Sequence, residues 1–159
     1  MVFDPRALRN AFGAFATGVT LVTTVGPDGK PIAMTANSFS SVSLDPPLLL
    51  WCIDKASDRL AVFEASPHFA INILAEHHKT LSSRFATKGQ PYMDGVECVT
   101  GESGCPVIPD ACAIFECERV ARHDAGDHII YIGRVRRFET PEGAGKPLVF
   151  HRGNYSVLT

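Results

Sequence analysis

The sequence has no Cys-x-x-Cys pair, and its five cysteines, Cys52, Cys98, Cys105, Cys112 and Cys117, are odd in number. That argues against a disulfide framework or a cysteine zinc site, and for reduced thiols packed as small apolar residues. No stretch approaches the ~18–20 apolar residues of a membrane span, and the first residues show no basic segment leading into an apolar run. A soluble, cytoplasmic protein with no membrane contact is expected. Charge of one sign is lacking too: 15 basic against 17 acidic residues leave a net charge of -2, which gives no reason to expect a nucleic-acid partner. There is neither a Gly-rich phosphate-binding fingerprint nor a G-x-S-x-G elbow, and no cysteine has a local activating context. Hydrolase chemistry is therefore unsupported, and small-molecule chemistry of another kind is the default.

What is present is ordinary globular material. With 159 residues, 45% hydrophobic and 20% charged, the chain suits one domain (1–159) with one real core. Asp4-Pro5 is an N-cap with proline at the first helical position, and Leu8, Ala11, Phe12 and Phe15 recur at helical spacing, which predicts an amphipathic helix over 5–15. Val19 to Val25 alternates as a strand, and Gly26-Pro27-Asp28-Gly29-Lys30 has the turn chemistry to return the chain along Pro31 to Met34. Pro46-Pro47 forbids helix, after which Leu48-Leu49-Leu50-Trp51-Cys52-Ile53 is apolar without alternation, the pattern of a strand buried on both faces. Ser57 is a candidate N-cap for a helix over 58–65 with Leu60 and Phe63 inward, and Ser66-Pro67 ends it. A strand over 69–74 and a short helix over 79–86 follow. Residues 87–110 have no clear period and read as loop with one strand near 95–99, before strands over 112–122 and 128–138. About seven strands to three short helices predict a mainly β fold, an antiparallel barrel with helices on its rim.

Four segments can carry chemistry. Between Ala33 and Ser43 the chain is small and polar where a core strand would be Val/Ile/Leu-rich, so its hydroxyls, amide and backbone N–H groups can cradle a flat polar ligand. They can equally satisfy their own backbone. Cys52-Ile53-Asp54-Lys55-Ala56-Ser57 runs from a strand end into a helix start, where a phosphate would find free N–H groups with Lys55 and Ser57 beside them; a plain serine cap is the simpler reading. His123-Asp124-Ala125-Gly126-Asp127-His128 holds metal-ligand residue types, yet they flank a turn and no third cluster completes a ligand set, so no metal is expected. In Pro147-Leu148-Val149-Phe150-His151-Arg152-Gly153-Asn154-Tyr155 an aromatic can stack on a planar ring and Arg152 can meet a phosphate or carboxylate, or the segment is simply a closing strand with Tyr155 packed on the barrel.

Taken in order, these blocks resemble the short-chain flavin reductases of the flavin reductase-like family, the reductase components of two-component flavin-dependent monooxygenases. The likeness rests on Phe15-Ala16-Thr17-Gly18-Val19-Thr20, on Met34 to Ser43 with Pro46-Pro47, and on Phe69-Ala70-Ile71-Asn72-Ile73-Leu74. It rests also on Gly126-Asp127-His128 with Gly133 and Val135, and on Pro147-Leu148 with Gly153 and Tyr155, and it covers about residues 8–157. His151 stands where an aromatic residue would be expected.

The resemblance implies a homodimeric, Greek-key FMN-binding split β-barrel with FMN or FAD and with NADH or NADPH as hydride donor. It implies a flavin wall at Thr35, Ala36, Asn37, Ser38, Ser40 and Ser41, and a ring-edge and phosphate side at Cys52, Ile53, Asp54, Lys55 and Ser57. Ser83, Arg84 and Phe85 would complete the phosphate side, with Arg84 ahead of Lys55 because its planar fork suits bidentate contact. Tyr155 would lie near the flavin, and His128 where the nicotinamide arrives. Such a site needs alignment of two rings rather than a strong acid or base, in keeping with the missing dyad. A non-catalytic flavin carrier, or an oxidase of the pyridoxamine-phosphate type, is the rival.

Overall fold

A computed structural model describes residues 1–159. The Asp4 side chain accepts from the Arg6 N–H at 3.0 Å and caps α1 (Pro5–Phe12), which ends at Gly13 rather than continuing to residue 15. None of its residues is buried, so the apolar stripe seen in the sequence does not pack on the core of this chain. After β1 (Thr17–Gly18) come β2 (Thr20–Val25) and β3 (Pro31–Ala36), joined by the expected turn with Gly29 at φ 79°. The hairpin of β4 (Ser40–Leu44) and β5 (Pro47–Asp54) leads to α2 (Leu60–Ala65), β6 (His68–Ile73), a 3-10 turn at Glu76–His78 and α3 (Lys79–Ala86).

Within the long loop, the strand expected near 95–99 is instead the first half of a small hairpin, β7 (Val99–Thr100) and β8 (Pro106–Val107). The two long strands β9 (Ala113–Ala125) and β10 (His128–Glu139) meet at a turn with Gly126 at φ 64°. β11 (Leu148–His151) and β12 (Asn154–Val157) close the chain as a hairpin.

Seven strands form one antiparallel sheet in the order β3-β2-β6-β9-β10-β5-β4, and β11 joins β1 and β12 in a second. No main-chain ladder joins the edge strands β3 and β4. Side chains of the turn that follows β5 reach across to β3 instead. Arg59, 4% exposed, donates from Nε to the Ala33 carbonyl at 3.1 Å, and the Ser57 hydroxyl lies 3.9 Å from the Met34 sulfur.

Burial of two strands is the reverse of the expectation. β2 reads as alternating, yet Thr20 to Thr24 are all buried: Leu21 packs with Leu74 and Phe85, and Val22 with Trp51 and Phe69 on the opposite face. The threonines tolerate this because Thr20 donates to the Ala36 carbonyl at 2.6 Å, Thr23 to Pro106 at 2.5 Å and Thr24 to Ser66 at 2.8 Å. β5, apolar throughout, buries only Leu49, Trp51 and Ile53, while Leu48, Leu50 and Cys52 are half-buried on the other face. A further correction concerns Ser57. The helix starts at Leu60 with Arg59 at the cap, and the Ser57 hydroxyl serves one turn earlier, accepting from the Arg59 N–H at 3.2 Å.

Candidate functional site

Where β3 gives way to β4 the chain leaves the sheet over residues 37–39, and cavities open on both sides of that passage. One of about 300 Å3 lies between Thr35, the Asp54–Arg59 turn, Phe85 and Lys88. Thr35, Ala36, Asn37, Phe150 and Tyr155 line a second of about 210 Å3. A third, of about 620 Å3, runs from Phe15 and Thr17 along Asn37, Ser38 and Ser40. Thr35 is common to the first two and Asn37 to the last two, so they form one trough whose extent suits a flat molecule larger than a single ring system.

Its polar groups divide into those already engaged and those left free. The Thr35 hydroxyl donates to the Ser82 carbonyl at 2.7 Å, and the Ser82 and Tyr155 hydroxyls share a hydrogen bond of 2.7 Å, so α3 and β12 are fixed to each other behind the trough. Ser38 is engaged as well. Its hydroxyl accepts from the Cys52 N–H at 2.9 Å and donates to the Cys52 carbonyl at 3.1 Å, continuing the β4–β5 ladder with a side chain. The Asn37 amide makes no hydrogen bond within the chain, and the Thr17 hydroxyl is buried without a partner. A buried hydroxyl left unpaired is costly.

The structure thus brings together Thr35, Ala36, Asn37, Ser38 and Ser40 with Asp54, Ser57, Phe85 and Tyr155. Other expected contacts do not converge on it. The Ile53 side chain is wholly buried in the core, which leaves only its backbone to the site, and Ser41 and Ser83 are exposed away from the cavities. Lys55 is turned to Asp124, with Nζ–Oδ1 at 3.1 Å, and its proximity holds the Asp124 carboxyl below the usual carboxylate range. Arg84 donates to the Tyr92 and Asp94 carbonyls, both at 2.9 Å, and so anchors the following loop rather than presenting a fork to the trough. Both cations are committed by partners distant in sequence, which the local pattern does not reveal.

Lys88, Phe150 and Thr17 were missed as site residues by the sequence reading, although Thr17 and Phe150 sit inside the singled-out segments. Lys88 lines the 300 Å3 cavity and has no carboxylate partner. Asp58, on the same rim, accepts from the Gly89 N–H at 2.6 Å and from Arg59 at 2.8 Å; against the raising effect of burial these hold its carboxyl below the usual range.

His128 begins β10 directly opposite Asp54, so the two side chains share a face at the edge of the 300 Å3 cavity, although His128 lines none of the three cavities. It is half-exposed, and its Nδ1 lies 2.7 Å from an Asp127 carboxylate oxygen. Burial pushes the thiol of Cys52 upward, against the Ser38 hydrogen bond, and that of Cys117 up to about 12, so neither supplies a thiolate. The trough offers alignment, hydroxyls and amides, not a nucleophile.

One cluster elsewhere has metal-ligand residue types: His77, His78 and Asp110. The His78 Nδ1 accepts from the Ala75 N–H at 3.0 Å, so the ring proton sits on Nε2 and faces Asp110 Oδ1 at 3.0 Å. A metal-binding histidine needs the opposite arrangement, with Nδ1 donating. The cluster is a hydrogen-bonded clasp.

Comparison with known proteins sets this geometry in context. The family described as Flavin reductase like domain matches residues 12–159. The chain is 49% identical over 152 residues to the FMN reductase (NADH) SmoA of Agrobacterium fabrum, covering 96% of this chain and 85% of that protein. With the flavin-dependent monooxygenase reductase subunit HsaB of Mycobacterium tuberculosis it shares 38% identity over 156 residues, 98% of this chain and 83% of the other. The solved structure of the Streptomyces globisporus NADH:FAD oxidoreductase SgcE6 in complex with NAD and FAD fragments superposes with a TM-score of 0.90 at 36% identity, covering 100% of this chain and 97% of that one. Against two Rhizobium meliloti relatives, 51% and 46% identical, the chain spans only 49% and 66% of their length.

Proposed function

The chain belongs to the flavin reductase-like domain family, and we propose that it is an NAD(P)H-dependent flavin reductase that passes a hydride from NADH or NADPH to FMN or FAD. The observation that carries this is the trough around Asn37, lined by small polar residues with the Asn37 amide left free and no nucleophile at hand. Bound there, flavin supplies the hydride-accepting ring, so the protein need only hold two planes in register and keep water out.

Each part of the trough has a role in that reading. Thr35 and Ala36 give a close, unencumbered wall, Asn37 donates to ring or ribityl oxygens, and Tyr155 is held by Ser82 beside them. The terminal phosphate lies between Ser57 and Lys88 rather than at Lys55 or Arg84. His128, steadied by Asp127, meets the nicotinamide. The absence of a fixed-charge cage suits a flavin that also leaves, as delivery to a flavin-dependent monooxygenase partner requires; the likeness to HsaB supports such a partner.

A homodimer is part of the same proposal. The face of β5 and β10 opposite the core carries Leu48, Leu50, Ile130 and Ile132 half-buried, and the β4–β5 tip presents Leu44 at 95% exposure. A second copy is the occupant that the family resemblance supplies for that face.

NADH oxidation by the purified protein tests the reading. Turnover that rises with added free FMN supports a reductase, and a yellow protein inert to both NADH and NADPH sinks it in favour of a carrier. Replacement of His128 by Ala is expected to raise KM for the nicotinamide with flavin affinity largely kept; equal loss of both would remove the role assigned to it.

A further inference from the structure

Ser82 lines none of the three cavities, yet it holds two residues that line the one of about 210 Å3. Its carbonyl accepts from the Thr35 hydroxyl, and its own hydroxyl lies 2.7 Å from the phenol oxygen of Tyr155. That second bond contains one proton, and burial decides whose it is. Ser82 is wholly buried and its Oγ has Tyr155 as its one partner, so a proton not given to Tyr155 would be stranded without an acceptor. An unmade bond at such depth is costly, whereas the half-buried Tyr155 faces the cavity and can place its own proton there. Ser82 is therefore the donor and the phenol oxygen the acceptor. The phenol ring itself is held: Phe150 packs edge-on against it with centroids 5.5 Å apart, and Lys79 Nζ lies over its face, 5.8 Å from the centroid. The Tyr155 proton, confined to the plane of that ring, takes the position turned away from Ser82.

We propose that Ser82 is a positioning residue of the site: it touches no ligand, and it sets the polarity of two hydroxyls that line the cavity. Tyr155 is left as a hydrogen-bond donor to the trough, and Thr35, whose proton is committed to the Ser82 carbonyl, is left as an acceptor. A donor and an acceptor fixed on two walls of one cavity read a ligand that carries both kinds of group. A carbonyl or ring nitrogen belongs toward Tyr155, and a hydroxyl or N–H toward Thr35. Flavins carry both, on the ring and on the ribityl chain. The inference rests on the reading of the trough as the flavin site and goes beyond it, since it assigns the direction of each hydrogen bond to a serine that no cavity exposes.

Tyr155→Phe, Ser82→Ala and the double variant test the proposal, with FMN affinity read from quenching of flavin fluorescence and stability from the melting temperature of each flavin-free chain. Tyr155→Phe is expected to weaken FMN binding about tenfold, the scale of one hydrogen bond. Ser82→Ala weakens it about threefold, because the phenol still donates but is no longer aimed. Since Ser82 acts through Tyr155, the double variant should bind FMN as Tyr155→Phe does, about tenfold more weakly than the wild type; independent roles would multiply to about thirtyfold. Stability runs the other way. Tyr155→Phe strands the buried Ser82 proton and lowers the melting temperature, and adding Ser82→Ala removes that proton and recovers part of the loss. A double variant more stable than Tyr155→Phe that binds FMN no better is the result a merely structural serine would not give. Tyr155→Phe binding FMN as tightly as the wild type, or effects on affinity that multiply, would overturn the proposal. A wild-type chain that neither quenches FMN nor oxidises NADH would overturn the reading of the trough instead, while the melting temperatures would still report which hydroxyl donates.

Discussion

Gly133 shows how little room the sheet leaves at single positions. A Cβ there would stand 2.5 Å from Phe69 Cζ and 3.0 Å from Cys117 Cβ, and Phe69 cannot swing away because Trp51 packs edge-on against it with ring centroids 5.8 Å apart. Gly133→Ala is therefore expected to lower stability by about 1–3 kcal/mol, the cost of overpacking a filled core. A urea midpoint that does not move would show that the ring can relocate. Arg59 is the opposite case, a large side chain that the core needs. Besides Ala33 it reaches the Phe85, Thr87 and Gln90 carbonyls, from Nη2 at 3.4, 3.1 and 2.8 Å, and so holds the end of α3 and the Lys88 rim against β3. Arg59→Met would leave those carbonyls unpaired and Asp58 without its cation. A loss of about 3–5 kcal/mol is expected in denaturant unfolding, the range for removing one member of a buried ionic pair. Nothing local in Asp58-Arg59 distinguishes this arginine from a solvated surface pair, since all of its carbonyl partners lie 26 or more residues away.

Among the elements, α3 was fully legible and β5 was not, for contrasting reasons. Leu81 and Phe85 sit four apart on a helix whose bounds, Lys79–Ala86, depend on local pattern. β5 is uniformly apolar, and sequence alone cannot tell a strand covered on both faces from one whose second face is left for another molecule. The polar stretch before it lines the cavities at Thr35, Asn37, Ser38 and Ser40, as small polar side chains at the end of a strand allow. What stayed hidden is which hydroxyls the fold consumes, Ser38 on Cys52 and Thr35 on Ser82, because that depends on strands meeting at long range. The start of α3 depends on the clasp of His78 with Ala75 and Asp110, which requires a neutral ring. Burial, ahead of the opposing Asp110 contact, holds His78 below its ordinary value. The unfolded chain takes up this proton at about pH 6.5, the folded chain only at lower pH, so the stability is full above about 6.5 and falls as pH drops below it. Asp110 is itself held low, chiefly by His77, and adds a loss only in the more acidic range below about pH 4. The melting temperature should thus fall from pH 7.5 to pH 5.5, and His78→Asn, which keeps an acceptor near Ala75 without a titrating ring, should flatten that decline. An equal decline in the variant would place the dependence on other groups.

At the scale of the molecule, the apolar side chains that this chain leaves uncovered define what it must meet. Leu44 at the β4–β5 tip touches no core of its own, and behind it Leu48, Leu50, Ile130 and Ile132 make a half-buried apolar strip across two paired strands. Alternation in β10 hints at this strip, but only the pairing register with β5 assembles it into one surface, which is why a dimer followed from the family likeness rather than from composition. An isologous contact would place each Leu44 against the other copy or near its strip. Sedimentation equilibrium is then expected to give twice the 17.2 kDa chain mass, with Leu44→Lys shifting the population toward single chains. The substitution adds a charge at a site that a lone chain leaves almost wholly in water, so its own fold pays little, and surface changes of this kind stay within about 0.5 kcal/mol. A charge forced into an apolar contact costs far more, and the dimer dissociation constant should rise by about tenfold or more. If Leu44→Lys sediments as the wild type does, the tip lies outside the interface. If the wild type itself sediments as one chain, a second copy is not what covers the strip, and a monooxygenase of the kind proposed as partner becomes the next molecule to test against it.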